Sequence, residues 1–148
     1  MTETSTPPAE ILHYAVDITA ADVESLRAFL YQRIDALLIQ TPDADPMTRA
    51  LRALEALASS AVGSAEWYLE QLAAGVEPDS PLWLSRVHGL RSAWSELVSA
   101  AQQWSDEPGF NAYRWREVET DPKRAALHHL QEAERRAALS SQRTAEQA

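Results

Sequence analysis

The sequence predicts an all-α fold. We expect an antiparallel helical bundle of three long helices plus an aromatic hook and a C-terminal helix, with an extended N-terminal arm. Three observations predict it. Alanine supplies 26 of the 148 residues, and alanine is the strongest helix former. Isoleucine and valine together number only 11, too few to furnish much sheet. Trp83, Val87, Leu90, Trp94, Leu97, Ala101 and Trp104 recur at alternating steps of four and three, an unbroken heptad seam.

The length suits one domain, placed at residues 10–141. Residues 1–9 contain the Pro7–Pro8 pair between small polar residues and are expected to form a disordered lead. Residues 142–148 are expected to fray. In residues 10–18, Leu12, Tyr14, Val16 and Ile18 alternate with His13, Ala15 and Asp17, a strand-like period. With no partner strand in the sequence, this segment is expected to lie as an extended arm on the helices or on a second subunit.

The first helix starts at Thr19, where Thr19 and Asp22 form a near capping box. Val23, Leu26, Phe29, Leu30, Ile34, Leu37 and Leu38 share its apolar face. Two prolines and two aspartates at 41–46 end it. The second helix runs from about Pro46 to Ala74, with Met47, Leu51, Leu54, Ala58, Ala61, Ala65, Tyr68 and Leu72 on one side. Its centre, Ser59 to Ala65, is built of small residues that allow another backbone to approach closely. Gly63 makes a break there the competing expectation. Gly75 is the stop. The third helix opens with Ser80 as cap and Pro81 in the first turn, then follows the heptad seam to Trp104. Residues 110–119, after the Asp106–Gly109 turn, form a short helix or hook carrying Phe110, Tyr113 and Trp115. Asp121 and Pro122 open the last helix, about 122–141, whose large apolar residues are Leu127, Leu130 and Leu139. So narrow a stripe suits a surface helix or one that docks on a partner.

Composition excludes several chemistries. No cysteine is present, so there is no thiolate nucleophile and no Cys-ligated metal. Four glycines leave no Gly-rich phosphate loop. His13, His88, His128 and His129 form no His-Glu-x-x-His or Glu-x-x-His motif. The pair His128 and Glu132 offers two ligands without a third. No Gly-x-Ser-x-Gly elbow occurs. No catalytic residue, metal site or cofactor is expected. No apolar run reaches the length of a membrane span, and residues 1–10 lack the pattern of a signal peptide. A cytoplasmic location and no membrane partner are therefore expected.

The net charge is −9, which argues against direct nucleic-acid binding. It is unevenly distributed, with −10 on residues 1–113 and +1 on residues 114–148. Trp104, Phe110, Tyr113, Arg114, Trp115 and Arg116 are the candidate partner-binding residues. Aromatic side chains interleaved with arginines near turns suit both interface anchors and cation–π pairs. The same residues can equally complete a core diluted by alanine. The leading expectation is a non-catalytic helical protein acting through contacts with a protein partner, as adaptor, assembly subunit or regulator. A symmetric homodimer is the simplest self-association. An acidic decoy for a nucleic-acid-handling protein is the alternative, and a small-molecule-binding bundle the second.

Overall fold

The computed structural model describes residues 10–147 and is all-helical among them. The proposed disordered lead, 1–9, lies outside the described residues. Four α-helices follow in order: α1, Ala20–Gln40; α2, Pro46–Ala73; α3, Pro81–Ala101; and α4, Pro122–Glu146. Short 3₁₀ turns at Ala15–Asp17 and Gln102–Trp104 flank the first three.

Each helix begins where its side chains satisfy the free amides of the first turn. Thr19 Oγ1 accepts from the Asp22 amide at 3.1 Å, and Asp22 Oδ2 accepts from the Thr19 amide at 2.8 Å. This is a complete capping box with aspartate in the role usually taken by glutamate. Asp45, Ser80 and Asp121 cap α2, α3 and α4, each followed by a first-turn proline. Gly75 adopts φ +85° just past α2, the left-handed conformation that glycine adopts without strain.

The helix α1 buries Val23, Leu26, Phe29, Leu30 and Ile34, while Leu37 drifts to the surface. The seam of α3 is the spine of the core. Val87, Leu90, Trp94, Leu97 and Ala101 are buried, and Trp83 and Trp104 cover its two ends. The helix itself closes at Ala101, so Trp104 stands on the 3₁₀ turn.

The helix α2 is continuous through Gly63. Gly63 faces open space, so the expected break is not taken. The close approach lies elsewhere. A Cβ added at Gly89 on α3 would fall on the Tyr68 ring of α2. Small residues on α2, Ala58, Ala61 and Ala65, are buried in the same core, but the decisive glycine belongs to α3.

The helix α4 differs from the other three. No Cα of α4 comes within 8 Å of α1, α2 or α3. Ala125 is its one buried residue, and His128, His129 and Arg136 meet Glu119, His13 and Tyr113 of the hook and arm. It also runs further than the sequence suggests, staying helical to Glu146 rather than fraying from 142.

Two substitutions separate these roles. Gly89→Ala should destabilise by about 1–3 kcal/mol, because Tyr68 must be displaced from a packed position. Gly63→Ala should stabilise by up to about 1 kcal/mol, since a helical glycine in open space gives only backbone freedom to the unfolded chain. Urea denaturation of the two variants should shift in opposite directions.

Candidate interaction site

The hook, residues 110–121, contains no helix and is shaped by specific bonds instead. Asn111 Oδ1 accepts from the amides of Tyr113 and Arg114 at 3.2 and 3.1 Å. Its carbonyl accepts from the Trp115 amide at 2.8 Å. This tight turn leaves Tyr113 exposed and turns Arg114 and Trp115 inward.

Arg114 points inward. Its Nε donates to Asp22 Oδ1 at 2.9 Å and its Nη2 to Asp22 Oδ2 at 2.6 Å, a bidentate pair. Nη1 donates to the Glu10 carbonyl and Nη2 also to the Asp17 carbonyl, both at 3.1 Å. One guanidinium thus joins the hook, the start of α1 and both ends of the arm. Burial alone would raise the Asp22 pKa, but hydrogen bonds from Arg114 and Thr19 outweigh it and hold the carboxyl below the ordinary range. The Asp22 bonds in turn raise the Arg114 pKa.

Trp115 turns into the core and is 4% exposed. Its ring lies tilted against Phe29 at 4.9 Å, with Phe110 edge-on at 5.5 Å. Its position beside two arginines resembles an interface anchor, but in this chain Phe29 of α1 supplies the aromatic partner. The next carbonyl, of Arg116, accepts from Trp94 Nε1 at 2.9 Å. That bond satisfies the polar edge of a fully buried indole. Glu117 receives the Ser95 hydroxyl at 2.9 Å, and Arg91 Nε approaches the Val118 carbonyl at 3.4 Å.

The arm closes against the far end of the hook. The Ala15 amide donates to the Glu119 carbonyl and the Glu119 amide to the His13 carbonyl, each at 2.9 Å. Tyr14 and Glu119 form a parallel bridge. The strand-like segment therefore has its partner within the chain. Its expected alternation fails because the 3₁₀ turn at 15–17 intervenes, so Leu12, Ala15 and Ile18 are the buried side chains and Val16 is exposed.

The six candidate partner-binding residues thus fall into four groups. Trp115 and Arg114 are spent inside the fold. Trp104 and Phe110 are half-buried against the core. Tyr113 is exposed, with the Arg136 guanidinium of α4 5.1 Å over its ring. Arg116 is half-buried beside the histidines described next. The expected arginine–tryptophan pair does occur in the chain, but as Arg86 over Trp67 at 4.4 Å.

Sequence reasoning missed one grouping altogether. His13 of the arm meets His129 of α4, rings edge-to-face at 5.5 Å. His128 Nε2 lies 3.8 Å from Glu119 Oε1. No sequence pattern links residue 13 to residue 129. Next to them, a cleft of 810 Å³ opens between the arm and α4, lined by Tyr14, Asp17, His13, Ala125, His129 and Leu130 among others. Among the described residues no three His, Asp or Glu side chains are placed to hold a metal ion, and no helix is long and apolar enough to cross a membrane.

No protein family, curated protein or solved structure matches the chain.

Two outcomes follow from the hook's geometry. Arg114→Met should destabilise by about 3 kcal/mol, because it strands the Asp22 carboxylate in a shielded site. The stability from Asp22 is present above the ordinary carboxylate pKa and is lost as pH falls through its lowered folded-state value. In the Arg114→Met protein that acid-side loss should shrink, as urea titrations at several pH values would record. Trp115→Ala should cost about 3–5 kcal/mol through cavity formation, measurable by thermal unfolding, whereas Tyr113→Ala should stay within about 0.5 kcal/mol of wild type.

Proposed function

We propose that the protein acts through protein–protein contacts, as an adaptor, assembly subunit or regulator, and that α4 with Tyr113 is the surface it offers. The observation that carries this reading is the isolation of α4. It is a 25-residue helix that approaches none of the other helices. Its three leucines, Leu127, Leu130 and Leu139, are 52%, 60% and 53% exposed. A helix gains most of its stability from packing an apolar face, and here most of that packing is missing.

In this reading α1, α2 and α3 form an antiparallel bundle, which the short connections at 41–45 and 74–80 favour. The bundle is the scaffold and the hook is the mount for α4. Charge supports a partner that meets both parts. The sequence up to Tyr113 carries −10 and the remainder +1, so the mount lies at the border of the two. Interfaces place such changes of sign where orientation must be fixed.

The test is capture of partners from an extract of the source organism, followed by affinity measurement with the purified partner. Replacing Leu127, Leu130 and Leu139 together by serine should weaken the complex more than about tenfold while thermal unfolding of the three-helix body is unchanged. An undiminished affinity in that variant would sink the assignment to α4.

A further inference from the structure

We propose that the arm and α4 form a proton-operated latch, in which charging of His13 releases α4 from the body while α1, α2 and α3 stay folded. The latch is a property of the isolated chain and stands apart from whatever α4 binds.

The geometry begins with His13 itself. Its backbone is held to the hook, since the His13 carbonyl accepts from the Glu119 amide at 2.9 Å. Its ring is pressed against His129 of α4. Its Nε2 atom is shielded from solvent and has no hydrogen-bond partner. A neutral imidazole tolerates this, because Nε2 then carries only a lone pair. A protonated one needs an acceptor there, and an unmet buried donor is costly.

The charges around the ring act in the same direction on balance. Arg116 and Glu117 of the hook face it, and so do His128, Glu132 and Arg135 of α4, which line the same small cavity of 240 Å³. Burial foremost, then Arg116 and His129, lower the His13 pKa from its ordinary 6.5, against which Glu132 works. One contact opposes release. His128, once charged, faces Glu119 at 3.8 Å, a partly exposed pair of small worth.

The sign then follows. The docked state disfavours the charged form of His13, and release relieves it of burial and of His129. Release therefore takes up a proton. Docking is fully favoured above about pH 7 and weakens as pH falls through about 6.5 toward the lowered docked-state value. The other holds on α4 are Ala125, buried near its start, and Arg136 over the Tyr113 ring; beyond Glu132 its described residues are exposed. With so few contacts, weakening the histidine one loosens the helix. The three-helix body depends instead on the apolar core and on Arg114 with Asp22, which stays charged in this range.

Amide hydrogen exchange read as protection factors tests this directly. Between pH 7.5 and 5.5, protection at residues 125–132 should fall by up to about tenfold, the limit for one group that titrates near 6.5 when free and lower when docked. Protection in α1, α2 and α3 should hold. His13→Phe keeps an aromatic ring and removes the proton, so its α4 protection should become nearly independent of pH. His129→Gln should make the fall smaller, and Glu132→Gln should make it larger. This opposed pair carries the test if His13→Phe does not fold. Constant protection in the wild-type chain would overturn the proposal. So would an equal loss in all four helices, an undiminished fall in His13→Phe, or charge variants that fail to move in opposite directions.

Discussion

The pairing of Arg114 with Asp22 is the contact on which the periphery of this molecule depends. Asp22 already completes the capping box of α1. The same carboxylate takes both prongs of Arg114, whose remaining donors reach the carbonyls of Glu10 and Asp17. Remove the guanidinium and three consequences arrive together. The arm loses both of its anchor carbonyl contacts, the hook loses its orientation, and a shielded carboxylate loses its counter-charge. Since α4 meets the arm and hook at His13, Glu119 and Tyr113, its position is set at one remove by the same pair.

The arrangement is a division of labour between two kinds of interaction. Apolar packing is strong but not directional, and in this chain alanine dilutes it. The large side chains that remain are therefore placed by polar contacts at their edges. Trp94 is fully buried with its indole nitrogen on the Arg116 carbonyl. Trp115 is wedged between Phe29 and Phe110. Both indoles are tied to the hook, so a segment without helix finishes the core that three helices begin.

Most of the helical framework was legible in the sequence because it is written locally. Thr19 with Asp22, Asp45 with Pro46, Ser80 with Pro81 and Asp121 with Pro122 each announce a helix start within four residues. The four-three spacing from Trp83 to Ala101 marks the buried seam of α3. What was not legible depends on residues far apart. Nothing about Arg114 distinguishes a partner-binding arginine from one committed to Asp22. Tryptophan beside arginine reads the same whether Phe29 or a foreign side chain receives it. The arm's alternation misled because one 3₁₀ turn shifts the buried positions from every second to every third residue. Gly63 drew notice because it sits among small residues, whereas Gly89 is the one that a neighbouring ring needs.

The arm and the hook bracket the three helices in sequence, and this has a kinetic consequence. Asp22 and Arg114 stand 92 residues apart, and the arm meets the hook over a comparable span. The entropy of closing so large a ring grows slowly with its length, but it must be met before any of its contacts form. Neighbouring helices joined by short loops have no such delay. Local contacts therefore favour assembly of the body before the ring closes. During synthesis α1, α2 and α3 can collapse as soon as they emerge, while the arm, which packs on α3, waits for the hook to fix it. That interval is when a chaperone or a second nascent chain has access to the side chains the finished fold conceals.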